Sequence, residues 1–327
     1  MPCIKKTTPH RNNMSIKSKI FFFIAHFVLL FFISWGASLC QPMNTSKVVF
    51  IPKGSSADII SYLSLRNFNV NKLDKYILAL FGSAQAGWVD IGTSRLSRLD
   101  FLYRLTKAKA ALEEITLVPG ETSEYFLKDI SSKLGLKYEL LLSELRANAL
   151  FFEGFLVPDT YKIPLGMSEK HLIFYLVNLS KKIHKERSTK IFGTFNQKEW
   201  ENYIIIASII QKEAANEDEM PLVASVIYNR LKKGMKLQMD GTLNYGLYSH
   251  EKVTPQRIAN DNTRFNTYKF AGLPEGAVCT VSLSAIRAAI FPKKTDYLYF
   301  VRDRKTGKHI FSTNYDAHLN AIKAGRK

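Results

Sequence analysis

Acidic residues are scarce in this sequence, and cysteines scarcer. Asp and Glu number 28 against 46 Lys and Arg, a formal net charge of +18. That surplus places the protein near polyanions, and nucleic acid, anionic lipid and anionic cell-wall polymer all satisfy it. Zinc-finger spacing, RNP-like aromatics and helix-turn-helix signatures are all missing, so nucleic acid is not expected as a partner. The three cysteines, Cys3, Cys40 and Cys279, stand singly. Without metal-ligand or redox spacing, and odd in number, they argue against a disulfide framework and read as small apolar fillers. Core-forming residues are plentiful: 46% hydrophobic and 12% aromatic over 327 residues excludes wholesale disorder. That length accommodates one membrane anchor and two modest folded units.

Formal charge is absent from Ile20 to Leu39, IFFFIAHFVLLFFISWGASL. This run has the length of a helix that crosses a hydrocarbon layer, about 20 residues. Ahead of it lie Lys5, Lys6, Arg11, Lys17 and Lys19 and no acid. The positive-inside tendency keeps residues 1–19 as a cytoplasmic tail, makes 20–40 a transmembrane helix and exports the rest. A cleaved signal peptide would want a shorter apolar core, although Ser34, Gly36, Ala37 and Ser38 offer a cleavage site. A lipid anchor at Cys40 would want a small residue before it, and Leu39 is large.

Past the anchor a pattern recurs: an apolar residue, a proline, a nearby glycine, then a hydroxyl opening a helical run. It occurs at Ile51-Pro52-Lys53-Gly54-Ser55, at Val118-Pro119-Gly120-Glu121-Thr122 and at Ile163-Pro164-Leu165-Gly166-Met167-Ser168. Proline and glycine set the turn, and Ser or Thr caps the next helix. Short strands thus alternate with short helices, an α+β arrangement. The middle copy resembles a LysM-like glycan-binding unit over about 114–164: strand, helix Ser123–Leu134, Gly135-Leu136-Lys137, helix Tyr138–Leu145, return strand near Phe155–Ile163. Lys181, Lys182, Lys185, Arg187 and Lys190 read as a solvated basic helix face, with contact to anionic wall polymer or lipid as the alternative.

The chemistry concentrates in Tyr203–Gly234, YIIIASIIQKEAANEDEMPLVASVIYNRLKKG. Ile206, Ile210, Glu213 and Glu217 fall on one helical stripe, and acids rarely share a stripe with bulky aliphatics. Asp218 or Glu219, Pro221 and Gly234 punctuate a second helix, giving a hairpin with Glu213 near its bend. A carboxyl on an apolar surface has its pKa raised, as a glycosidase-type general acid needs. The bland reading pairs Glu213 with Lys212, Arg230 or a backbone amide at the bend.

The segment ASIIQKEAANEDEMPLVASVIYNRLKKGMKLQMDGTLNYG resembles the signature of the endolytic murein transglycosylases, the MltG/YceG-like family. Glu153-Gly154-Phe155 with Pro158-Asp159-Thr160-Tyr161 matches that family's EGF-x-x-PDTY box. Phe265–Tyr268, Gly272-Leu273-Pro274, Tyr297–Val301 and Gly307–Ser312 come next in family order, so the likeness runs from about Val48 to the C-terminus. Gln211 stands where the family has the first Glu of E-K-E, Gly241 where it has the proline of D-P-T, Glu275 at the second proline of GLPPG, and Thr280-Val281-Ser282 where Asn-Pro-Gly is common.

The resemblance implies a lyase that cuts the MurNAc–GlcNAc bond of nascent peptidoglycan strands, leaves 1,6-anhydro ends and ends strand growth. Glu213 maps to its catalytic acid; no metal or other cofactor is implied. Asn229, Arg230, Gln238, Asp240, Tyr245, Asn266 and Tyr268 are the expected substrate-binding residues, with Arg230 forking onto a substrate carboxylate. Implied partners are glycan strands and the peptidoglycan synthases (penicillin-binding proteins), at a bacterial inner membrane with the catalytic domain on the periplasmic side. The expected organisation is a single transmembrane helix, an N-terminal α+β region over 41–165 containing the LysM-like unit, and a C-terminal α+β catalytic domain over 166–327. The alternative is a non-catalytic, membrane-anchored scaffold that binds peptidoglycan.

Overall fold

The computed structural model describes residues 15–324. Cys3, Lys5, Lys6 and Arg11, with most of the basic tail, lie outside them. Two compact units are present, one ending at Ala111 and the other beginning at Leu112. Helix and strand are mixed, and every strand pairing is antiparallel.

The first unit begins with α1 (Ile16–Cys40), among the described residues the one helix long and apolar enough to cross a membrane. Its phenylalanines are exposed, whereas Leu39 is buried and Trp35 packs on the same core. Then come β1 (Pro42–Asn44), β2 (Val48–Ile51), α2 (Ser56–Leu65), α3 (Asp74–Phe81), β3 (Gly87–Asp90), β4 (Arg95–Ser97), α4 (Arg98–Lys107) and β5 (Lys109–Ala110). β1 pairs with β4, and β2, β3 and β5 form a three-stranded sheet. Ile51, Leu63, Leu78, Phe101, Leu102 and Leu105 are fully buried between sheet and helices.

The second unit opens with β6 (Leu112–Leu117), α5 (Ser123–Leu134), α6 (Tyr138–Asn148) and β7 (Asp159–Pro164). β6 pairs with β7 from Leu112 opposite Pro164 to Leu117 opposite Asp159. The chain continues through α7 (Glu169–Phe192), α8 (Gln197–Glu213), α9 (Met220–Lys232), α10 (Pro255–Asn260), α11 (Leu283–Ile290), the hairpin β8 (Tyr299–Arg302) and β9 (His309–Ser312), and α12 (Tyr315–Ala324). One core unites these elements: Ile115, Phe126 and Tyr161 cluster with Trp200, Ile204, Val223 and Ile286. Residues 112–165 therefore pack with α8, α9 and α11, and the division falls at 111/112 where the sequence places it at 165/166.

The three proline–glycine turns do open helices. Ser55 caps α2 in a reciprocal box with Asp58, and Thr122 accepts from the Tyr125 amide. Ser168 takes the N-cap position of α7, but its hydroxyl bonds the His171 ring. On α7 the basic residues alternate with buried Ser180, His184 and Ser188; Lys181, Lys182, Lys185 and Lys190 are exposed or partly so, and Arg187 is partly buried.

α8 is the central helix, with every residue from Ile204 to Ile210 buried. A helix apolar around its whole circumference belongs in a core. At its start the Trp200 indole donates to His184 Nδ1 at 3.0 Å. Nε2 therefore carries the imidazole proton and donates to the Phe155 carbonyl at 2.8 Å. Gly154 sits against α8 with φ +76°, and a Cβ there would meet Ile204 Cγ2 at 2.7 Å, so this site excludes side chains on both counts. α8 stops at Glu213, and Glu217 begins a separate 3₁₀ turn, Glu217–Glu219. Glu217 is exposed and off the Ile206–Ile210–Glu213 stripe, because the helical period ends before reaching it.

Candidate active site

Glu213 occupies the last turn of α8, partly buried, where a 3₁₀ turn over Asp240–Leu243 crosses the helix end. Its Oε1 accepts the Gly241 amide at 2.7 Å. A Cβ at residue 241 would lie 2.6 Å from Lys212 Cβ and 2.9 Å from Glu213 Oε1, so glycine is what allows this approach. No protein donor reaches Oε2 among the described residues. Burial raises the carboxyl pKa to about 7; the Gly241 amide opposes the rise and the nearby Asp240 charge adds to it. Lys212 and Arg230 do not pair with it. Lys212 Nζ donates to Ser249 Oγ at 3.0 Å, and Arg230 is engaged elsewhere. None of the bland alternatives is realised, since the amide that binds Glu213 comes from Gly241 and not from the bend.

The carboxyl lines a cavity of about 340 Å³ that also includes Arg230, Leu237, Gln238, Met239, Asp240 and Tyr268. Tyr268 donates its hydroxyl to Asp240 at 2.7 Å. Gln238 is exposed with φ +50° and Asp240 is exposed, so both side chains stand at the rim. Arg230 lines the cavity but donates Nε to the Leu298 carbonyl at 2.6 Å and Nη1 to Leu237 at 2.8 Å and Lys236 at 3.2 Å. With two of three nitrogens committed to backbone, the expected fork onto a substrate carboxylate is not available. Arg230 instead ties the end of α9 to the strand and loop flanking the cleft.

Three expected binding residues point elsewhere. Asn229 donates to the Thr295 and Tyr297 carbonyls at 2.7 and 2.9 Å and lines a separate cavity with Lys293 and Lys294. On α9 it neighbours Arg230, and adjacent helical residues diverge by about 100°. Asn266 is fully buried; its amide donates to Ile258 and Asp261 carbonyls, both at 2.8 Å, and fixes the loop after α10. Tyr245 donates to Asp261 at 3.0 Å and stacks on Phe265 at 4.4 Å, outside the Glu213 cavity.

Other residues in and around the site were not among those expected to bind substrate. Tyr299, Phe300, Tyr315 and His318 form part of the cavity wall, brought there by β8 and α12 from far along the chain. Gln211, in place of a family glutamate, accepts the Ser282 amide at 3.0 Å, which locks α8 to the cap of α11. Thr280 meets the turn before α5 through Gly120 and Glu121 backbone bonds at 2.9 and 2.8 Å. Glu153 is buried beneath that turn and accepts from Ser123 and Gly154; burial lifts its pKa to about 7 against these donors. His309 Nδ1 lies 2.7 Å from Glu219, whose other oxygen accepts the His309 amide at 3.0 Å, so both residues join the β8–β9 hairpin to the start of α9. Among the described residues no group of three or more His, Cys, Asp or Glu is placed to hold a metal ion.

Fold and site together define a protein organised around one partly buried, readily protonated carboxyl in an open cleft walled by aromatic and polar side chains. The chain belongs to the YceG-like family, whose model matches residues 49–324. It is 27% identical to an endolytic murein transglycosylase of Bacillus subtilis (strain 168) over 322 residues, 88% of this chain and 88% of that protein. Identity to an endolytic murein transglycosylase of Streptococcus pneumoniae serotype 2 is 32% over 216 residues, 60% of this chain and 38% of that longer protein. The crystal structure of a yceG-like protein from Listeria monocytogenes superposes with a TM-score of 0.54 at 26% identity, covering 86% of this chain and 99% of that one.

Proposed function

We propose that this protein is an endolytic murein transglycosylase, a lyase that cleaves peptidoglycan glycan strands with Glu213 as its acid and base. The carrying observation is the Glu213 carboxyl itself: one oxygen held by Gly241, the other without a protein partner, in a cleft whose burial keeps it half-protonated near neutrality. The protonated carboxyl gives its proton to the oxygen linking MurNAc C1 to the next GlcNAc as that bond breaks. The resulting carboxylate removes the proton of the same MurNAc's C6 hydroxyl, whose oxygen closes onto C1. A 1,6-anhydro end and a free GlcNAc end result, no water is consumed, and Glu213 is returned protonated. Because the nucleophile belongs to the sugar already bound, high effective molarity replaces a positioned water, and one carboxyl serves both steps.

Around this centre we assign Gln238, Asp240 and Tyr268 to substrate contact, and the catalytic part to the stretch of the second unit from about residue 166 onward. The strand–helix–helix–strand order of β6, α5, α6 and β7 supports reading that segment as a LysM-like glycan contact. The apolar α1 supports a single-pass inner-membrane anchor with a cytoplasmic N-terminus and a periplasmic site. Work beside the peptidoglycan synthases, ending nascent strands, accords with the same reading.

Glu213→Gln tests it. Mass spectrometry of purified strands treated with this variant is expected to show no anhydro-ended products, and normal product formation would remove the proposed acid. The folded carboxyl titrates near 7 against an ordinary value of 4.5, so it destabilises the fold increasingly as pH rises through that window. The variant is therefore expected to melt no lower than the parent at pH 8, which separates lost chemistry from lost structure.

A further inference from the structure

The C-terminal helix carries side chains that the mechanism above leaves unused. Asn314 accepts the Ala317 amide at 2.9 Å and so caps α12. Tyr315 and His318, three residues apart, then share one helix face, and both line the Glu213 cavity. Tyr299 fixes their positions. Its ring stacks with the His318 imidazole at 5.2 Å and 24°, lies 5.9 Å from the Tyr315 ring, and receives the Arg230 guanidinium at 5.1 Å. Tyr299 is thus occupied by neighbours, whereas Tyr315 is 58% exposed. His318 Nδ1 is buried, yet hydrogen-bonds to no group among the described residues. Buried polar atoms are nearly always paired, and of the six without a partner among the described residues only His318 Nδ1 belongs to a residue that lines this cavity.

We propose that α12 supplies a sugar subsite of the Glu213 cleft, in which the Tyr315 ring carries one face of a pyranose and the His318 imidazole hydrogen-bonds a polar group of that same sugar. A pyranose presents an apolar C–H face and polar substituents at its edge, the combination that an exposed aromatic beside an unpaired ring nitrogen accommodates. Burial and the Arg230 charge hold the imidazole below its usual pKa, so it is neutral at pH 7 and offers donor or acceptor according to tautomer. The cavity of about 340 Å³ lies within the range of small-molecule sites. This inference rests on the glycan-cleaving reading for its ligand class, while its structural basis is independent of the reaction.

The full chain in detergent, carrying Glu213→Gln so that nothing is cleaved, is titrated with peptide-free glycan strands. Adding Tyr315→Ala or His318→Phe is expected to weaken binding at least roughly tenfold, the size of one lost buried contact, whereas Tyr315→Phe keeps the ring and stays within about twofold. In an otherwise unaltered chain the loss should fall on KM and leave kcat nearly intact. Tyr315 is exposed enough for its alanine variant to fold, so it decides the matter should His318→Phe melt early. Unchanged affinity in Tyr315→Ala overturns the subsite, as does a loss seen only with strands that keep their peptides. Weakened binding in the variants beside a parent enzyme that makes no anhydro ends would overturn the lyase reading alone; anhydro ends with unchanged variant binding would overturn the subsite alone.

Discussion

Two neighbours act on the Glu213 carboxyl with opposite signs: the Gly241 amide lowers its pKa and the Asp240 charge raises it. Asp240 disfavours a second negative charge beside it, so Asp240→Asn lowers the Glu213 pKa. The kcat/KM profile of the parent is expected to descend on the alkaline side near pH 7, and in Asp240→Asn that limb moves to lower pH, while Tyr268 keeps an acceptor in the asparagine oxygen. An unmoved limb would mean that another group titrates there. Gly241→Ala forces a methyl into Lys212 and the carboxyl, so product formation should fall at least roughly tenfold through misplacement of the acid; circular dichroism at 25 °C is expected to stay native. Helical phase put Glu213 on a stripe with Ile206 and Ile210 but placed Glu217 there too, and it was the family resemblance that chose between them. The Gly241 amide could not be anticipated, because a backbone donor 28 residues away leaves no trace in side-chain pattern. The carbonyls that Asn229 and Asn266 brace were hidden for the same reason: an asparagine that braces carbonyls and one that grips a sugar look alike in a sequence.

Elements were more legible than contacts. α5 begins and ends where its turn, cap and glycine place it, at Ser123 and Leu134, and Pro221 lies in the first turn of α9 with Gly234 at φ +67° just past its end. The end of α8 was harder to see, since Ala214-Ala215 continues a helical composition and nothing in it is a breaker. The packing of α8 makes its own prediction. His184 titrates near 4 in the fold against 6.5 in the unfolded chain, so the unfolded state takes up a proton that the native state refuses. Stability is full above about pH 6.5 and falls by about 3 kcal/mol as pH drops toward 4. Trp200→Phe removes the donor to His184 Nδ1 and is expected to cost about 1–3 kcal/mol at pH 7. Urea unfolding at pH 7 and at pH 4.5 reads both effects, and a pH-independent midpoint would contradict the neutral, buried imidazole.

At the scale of the molecule, the surplus of positive charge said little, and the hydrophobic run of α1 said most. The division at 111/112 was not visible, because β6 resembles the strands before it and only its pairing with β7 and its share in the larger core assign it to the second unit. The first unit, in turn, includes the end of α1. Deleting residues 1–40 to make a soluble enzyme removes Trp35 and Leu39 from that core, at a cost of about 2–4 kcal/mol. Calorimetry is expected to show the first unit melting several degrees lower in the truncated chain, with the second unit unmoved. Equal melting of both forms would show that the helix end contributes no packing energy.

That helix end has a mechanical meaning as well. With Leu39 already inside the folded unit and β1 starting at Pro42, the passage from the apolar helix into the first unit contains no slack. A leash of disordered residues would let the first unit wander over a radius set by its length; here the unit stands on its stalk like a lamp bolted to its post. The distance between the apolar helix and the first unit is therefore written into the packing of Trp35 and Leu39, and lengthening the chain between residues 40 and 42 would change it.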